Sequence, residues 1–197
     1  MVRWTFVLII ACVAVFLLQQ TGIFDWQMFA FTPALALERP WTFVTSIFLH
    51  ADFSHIFFNM FALFMFGMIL ESRVGPKHFI ILFFLSGIAG SIGYMISASG
   101  SMIPAIGASG AIYGIIGALA VIVPFMMLWF LGGIPMPMVV AAVIWIAMEV
   151  FGMFSPSDIA HSAHLGGVVV GIIYGIYLRR KERKAVKSFF REEEFRY

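Results

Sequence analysis

Apolar residues fall in long unbroken stretches along this chain, without the alternation of a half-buried strand or the one-sided stripe of a soluble amphipathic helix. Six stretches approach the roughly 20 residues needed to cross a hydrocarbon core. They predict helices over residues 4–18, 52–70, 78–97, 109–129, 138–154 and 159–178. The first is short and begins after Arg3 like a secretory leader, but Gln19 and Gln20 follow it where small residues would mark cleavage. With Trp4 at its edge as an interfacial anchor, it reads as a retained helix.

Composition agrees with the pattern and narrows the class. Apolar residues make up 62% of the 197, charged residues 11%, and mean hydropathy is +1.01. Soluble domains hold about 45–50% apolar and about 25% charged residues. A soluble fold of this length could not bury so much apolar surface. Transmembrane β-barrels need strands of about ten residues that alternate in polarity, and these stretches do not alternate. The fold class is therefore all-α, a polytopic membrane protein. Cys12 is the single cysteine and cannot form an internal disulfide. The one basic cluster is a short tail, which sets nucleic-acid partners aside.

Charge placement predicts orientation. Arg3 precedes the first helix, Arg73 and Lys77 separate the second from the third, and eight Lys or Arg follow the sixth; Arg39 alone falls on the opposite side. The excess of positive charge marks the cytoplasmic face, so both termini are expected there. The external loops are then 19–51, 98–108 and 155–158. Trp26, Phe29, Phe31 and Trp41 suggest that the first lies partly inserted at the interface, and the uncharged second can dip into the membrane plane if neighbouring helices shelter it. The last residues mix Lys, Arg and Glu with Phe189, Phe190, Phe195 and Tyr197. They read as an amphipathic continuation of the sixth helix or as a surface for anionic lipid headgroups.

Polar residues inside such spans are costly, and each is a candidate functional group. They are His55 and Asn59 in the second helix, Ser109 opening the fourth, Glu149 in the fifth, and His161 and His164 in the sixth. His55 and Asn59 are four apart and share a helix face; interhelical bonding would also explain them. Ser109 stands between Gly107 and Gly110, a pattern that suits close packing but also a nucleophile at a helix N-terminus, where free N–H groups favour an oxyanion. His164 precedes Gly167 and Gly171, a small-residue face that would bring its helix against a neighbour. Even-numbered spans run inward, so His55, Asn59, Ser109 and His164, early in the second, fourth and sixth, are expected at one depth, roughly 8–9 Å below the external surface. A serine, a histidine and hydrogen-bond donors can meet there as nucleophile, base and oxyanion hole.

These residues, in this order, resemble the rhomboid intramembrane serine proteases over nearly the whole chain, in their compact six-helix form. The resemblance is carried by His50-x4-His55-x3-Asn59, Gly107-x-Ser109-Gly110 and Ala163-His164-x2-Gly167, with Glu71-x-Arg73-x-Gly75 beside them. It implies a six-helix domain over residues 1–180 with a tail over 181–197. It implies a Ser–His dyad of Ser109 as nucleophile and His164 as general base and acid. The oxyanion hole would comprise His55, Asn59 and the Ser109 backbone N–H. Tyr113 would stack on His164, with Gly107, Gly110 and Gly167 in support. The 19–51 loop would be a membrane-embedded element, and the fifth helix with the loop before the sixth would gate lateral entry. One departure stands out: the family often has Trp-Arg where this chain has Trp41-Thr42. The implied activity is endopeptidase cleavage of single-span membrane proteins near the external face, with no cofactor or metal. The partners are transmembrane substrates and the bilayer, in a prokaryotic plasma membrane.

No carboxylate stands beside the dyad in the sequence, so packing and Tyr113 are expected to orient His164. Three other readings compete. A non-catalytic relative would bind client helices without cutting them. A proton pathway through His55, Glu149 and His164 would need the internal repeat or broken helix pair of a transporter, which the chain lacks. A zinc site of His161, His164 and His55 would lack an acidic or cysteine ligand nearby, apart from Asp52 and Asp158. His50 reads as structural, and His78 and His161 as interfacial.

Overall fold

The computed structural model describes residues 3–129, 133–157 and 159–194, with side chains through Glu182. Asp158, Phe195 and Tyr197 lie outside the described residues, as do the side chains of Phe189 and Phe190. Helix dominates. Seven α-helices run in order: α1 (Trp4–Thr21), α2 (Thr42–Thr45), α3 (Phe53–Ala62), α4 (Met68–Ser97), α5 (Ser109–Ile122), α6 (Met138–Gly152) and α7 (His161–Glu194). Three stretches are long and apolar enough to cross a membrane, Trp4–Thr21, Phe53–Ser97 and His161–Glu182; α5 and α6 are shorter apolar helices.

The N-terminus of α1 lacks a cap from Arg3. Its open N–H groups are met from a distance instead. Glu71 Oε1 accepts from the Trp4 N–H at 2.8 Å, and Oε2 accepts from the Thr5 N–H at 3.0 Å and the Thr5 hydroxyl at 2.7 Å. A carboxylate at a helix N-terminus satisfies orphan donors and complements the helix dipole. A motif residue of the second span thus fastens the first.

Asp52 caps α3, its Oδ1 accepting from the His55 N–H at 2.8 Å and the Ser54 hydroxyl at 2.7 Å. A π-turn over Leu63–Gly67 joins α3 to α4, and α4 breaks at Gly75, with φ 78°, before Pro76. An unbroken helix over Phe53–Ser97 would extend about 68 Å, more than twice a hydrocarbon core. Gly75 and Pro76 divide it, since only glycine adopts that backbone freely and proline cannot donate to the preceding turn. The part before the break packs on α1, where Gly67 meets Thr5; the part after it packs on α5 and α7.

The core lies where α4, α5 and α7 cross. Glycines allow the backbones to touch: a Cβ on Gly167 would overlap the Gly110 carbonyl oxygen, and one on Gly171 would overlap that of Gly114. Without a water-driven hydrophobic term between helices in lipid, such close packing is what binds them.

Some predicted boundaries need correction. The fourth helix ends at Ile122, not at residue 129, because Val123 precedes Pro124 and is held out of the helical region. Two short strands follow, β1 (Met127–Trp129) and β2 (Pro135–Pro137), paired antiparallel with Leu128 opposite Met136; the fold is therefore helical with one small hairpin. The sixth helix starts at His161, not at residue 159, so His164 sits in its first turn; its run to Glu194 agrees with the reading of the tail as a helical continuation.

The 19–51 loop is built of short 3₁₀ turns and α2. Phe31 is fully buried and pairs through its backbone with Ala105, while the Ala34 N–H bonds the Ser101 carbonyl and the Gly107 N–H bonds that of Ser46. The uncharged 98–108 loop is thus sheltered by backbone bonds to the first. At the departure from Trp-Arg, the buried Thr42 donates its hydroxyl to the Arg39 carbonyl at 2.6 Å. The threonine closes this turn within the loop, and no long cation is needed to do so.

Candidate active site

Three helix ends converge. Ser109 opens α5 after Gly107 and Ala108; His164 lies in the first turn of α7; Glu149 lies in the last turn of α6. His164 Nε2 is 2.8 Å from Ser109 Oγ. Position in the first turn leaves the N–H groups beside Ser109 without intrahelical acceptors. Tyr113, one turn on from Ser109, lies flat against His164, with ring centroids 4.4 Å apart and planes 11° apart.

His55 faces the same place from α3. Its Nδ1 accepts from the Ala51 N–H at 3.3 Å, which leaves the ring proton on Nε2. That nitrogen lies against Gly107, whose φ is 119°; a Cβ there would come within 2.7 Å of it. Gly107 is required twice over, by its backbone and by the imidazole beside it. Asn59 is buried, and its Nδ2 donates to the His55 carbonyl at 2.9 Å while its Oδ1 has no partner. One N–H of that amide is therefore occupied within α3.

His50 stands behind this group. Its ring is 5.1 Å from that of His55, its Nδ1 is 3.3 Å from the Phe48 carbonyl, and its backbone is clasped both ways by the Gln19 amide, at 3.1 and 3.3 Å. Burial pushes the pKa of the His50 imidazole down to about 4, with the nearby His55 adding to the effect. His50 thus enters as a neutral packing group between the loop and α3.

Sequence reasoning missed the carboxylate. Glu149 is buried, and its Oε2 lies 2.6 Å from His161 Nδ1 and 2.8 Å from His164 Nδ1. Its Oε1 accepts from the Tyr113 hydroxyl. The contact to His164 is short but bent away from a straight hydrogen bond. The expectation that no carboxylate stands beside the pair is corrected, because α6 delivers an acid that sequence order keeps 15 residues away. The available clue was a lone glutamate in an apolar span.

The same contact revises the metal reading. Glu149, His161 and His164 offer ligand atoms within 4.8 Å of one another, and His55, which lies against Gly107, is not part of that group. Zinc ligands at bonds of 2.0–2.1 Å stand about 3.3 Å apart around a tetrahedron. The separations of 2.6 and 2.8 Å found here suit shared protons better. His78, at the other end of the molecule, bonds the Tyr174 hydroxyl at 2.8 Å and takes no part.

Similarity to known proteins runs over most of the chain. A family model described as the Rhomboid domain matches residues 37–181. YdcA of Bacillus subtilis, named for a rhomboid protease, is 30% identical over 148 residues, covering 73% of this chain and 70% of its own. Rhomboid protease GlpG of Salmonella paratyphi A is 28% identical over 182 residues, 85% of this chain and 60% of its own. Inactive RHOMBOID-like protein 8 of Arabidopsis thaliana is 38% identical over only 52 residues, 26% of this chain and 15% of its own.

Proposed function

The chain belongs to the rhomboid family, and from that premise we propose that it is an intramembrane serine endopeptidase working through Ser109 and His164. It is an integral membrane protein of a family that includes intramembrane proteases, and its apolar helices fit that class. The observation that carries the finer reading is the 2.8 Å approach of His164 Nε2 to Ser109 Oγ at a helix N-terminus.

In the proposed reaction His164 Nε2 takes the Ser109 hydroxyl proton as Oγ bonds to the scissile carbonyl carbon. The resulting oxyanion is met by the Ser109 backbone N–H, the His55 Nε2–H and the remaining Asn59 amide proton. Collapse breaks the C–N bond, and the His164 imidazolium protonates the departing amine. His164 then deprotonates a water that attacks the acyl-serine, and Ser109 regains its proton from His164. Gly107 admits His55 to the site, and Gly110 and Gly167 hold α5 and α7 together there.

Substrates on this reading are single-span proteins whose helix unwinds near the external face, since a hydrogen-bonded helix screens its peptide carbonyls. Six crossings with both termini cytoplasmic, in a prokaryotic plasma membrane, complete the proposal. Gly75–Pro76 supports dividing Phe53–Ser97 into two of those crossings. The test is cleavage of a single-span reporter by the protein in liposomes. Ser109→Ala should abolish it without unfolding the protein, and surviving cleavage would sink the reading. The competing client-binding reading, favoured by the short match to an inactive relative, predicts reporter binding that neither Ser109→Ala nor His164→Ala changes.

A further inference from the structure

The serine endopeptidase reading needs only a serine and a histidine. The site holds more, and α6 shows why it matters. Val140, Val143, Ile144, Met148, Val150 and Phe151 on that helix are exposed, and its buried residues are Met138, Ala141, Ala142 and Glu149. In the second half of α6 the one buried residue is thus a carboxylate, the group most costly to bury unless it is fully paired.

Its partners form a closed set. Glu149 Oε1 accepts from the Tyr113 hydroxyl, Tyr113 lies on the His164 ring, and Glu149 Oε2 faces Nδ1 of both His164 and His161. A carboxylate is acceptor-only when ionised and has room for three donors. A carboxylate oxygen 2.8 Å from Nδ1, even on a bent approach, favours the tautomer that carries its proton there. Nε2 is then left with its lone pair, and it points at Ser109. In the opposite tautomer Nε2 would carry a proton and could not receive the one from the serine.

We propose that Glu149, itself held by Tyr113 and His161, is a positioning residue that fixes His164 as the Nδ1–H tautomer, making the site a Ser–His–Glu array drawn from α5, α7 and α6. The proposal rests on the serine endopeptidase reading and adds to it a residue that the dyad does not require. Because the acid rides on α6, the base is oriented only while that helix is docked.

The experiment exchanges the acceptor for a donor at constant volume. In Glu149→Gln the amide oxygen can still accept from Tyr113, but the NH₂ would face the two Nδ1 atoms and reverse the tautomer. In chymotrypsin-type triads the corresponding carboxylate-to-amide exchange lowers kcat about 10⁴-fold. Here Glu149→Gln should slow fluorophosphonate labelling of Ser109 by about 10²-fold or more. The kcat on a fluorogenic single-span peptide should fall by a similar factor, with KM nearly unchanged. In protein labelled with ¹⁵N-histidine, the proton resonance of the His164 Nδ1–H should be present in the wild type and absent in Glu149→Gln. Glu149→Asp should keep the resonance and recover part of the rate, and a chelator should change neither.

Labelling of a folded Glu149→Gln protein at the wild-type rate, beside an inert Ser109→Ala, would overturn the positioning role and leave the endopeptidase reading standing. Should Glu149→Gln fail to fold, a wild type without the Nδ1–H resonance would overturn the role by itself. A rate that depends on metal would assign Glu149, His161 and His164 to an ion instead. Cleavage surviving in Ser109→Ala would remove the reading beneath the proposal.

Discussion

The α5–α7 contact and the α6 contact are built in opposite ways. Between α5 and α7 glycines bring backbone against backbone, so that Gly167 and Gly171 have no room for a methyl group. Helix α6 presents a largely exposed apolar face; Trp145 packs against Phe66 and the core, and the one buried residue of its second half, Glu149, makes the contact at the site. The first contact is short-ranged and fixes Ser109 and His164 with little freedom. The second is polar and depends on hydrogen bonds that can be exchanged. On the proposed mechanism, placement of the reacting pair and orientation of its base then fall to different interfaces, and each can be disturbed separately.

The largest effect should come from the pair itself. Ser109→Ala should lower reporter cleavage at least about 10³-fold with the melting temperature kept, as expected when a nucleophile is lost from a working unit. Disturbing the tight interface comes next. Gly167→Ala should cost about 1–3 kcal/mol or more through overpacking, read as a lower midpoint of unfolding in detergent, with activity falling alongside stability. An unchanged midpoint would mean that α5 and α7 separate easily, and the contrast with α6 would disappear.

The proposed oxyanion donors should matter less than the proposed nucleophile. His55→Ala should lower kcat by about 10²–10³, and Asn59→Ala by less, since one Asn59 N–H is already spent on the His55 carbonyl. Equal losses would show that the amide turns when substrate arrives.

The smallest effect lies outside the spans. His50 stays neutral in the folded protein down to about pH 4, whereas the unfolded chain takes up that proton near pH 6.5. Between those values the unfolded state binds more protons, so stability is at its full value above about pH 6.5 and falls as pH drops toward 4. His50→Gln should flatten the slope of the unfolding midpoint over that window. An unaltered slope would place the acid sensitivity on other groups.

How much of this was legible in the sequence depended on the range of the forces involved. Long apolar stretches marked where helices lie, because twenty apolar side chains in a row have few other homes, but they did not mark where each helix ends. Pro124 was the missed stop in the fourth stretch, where hydropathy continued but backbone geometry did not. The approach of Ser109 to His164 was suggested by the shared depth that the charge bias assigned to them and by the glycines after His164. Glu149 was not, since its place beside His164 depends on how α6 docks, and no periodicity encodes that. The role of Glu71 in capping α1 was hidden for the same reason, as its partners are 66 and 67 residues away.

The account turns on whether His164 activates Ser109. The most direct measurement treats the folded, detergent-solubilised protein with a fluorophosphonate and maps the labelled residue. Label on Ser109 in the wild type, lost in His164→Ala, is the predicted result. A folded wild type that takes no label, or a His164→Ala protein labelled at the same rate, would contradict it and make the 2.8 Å contact one of packing alone.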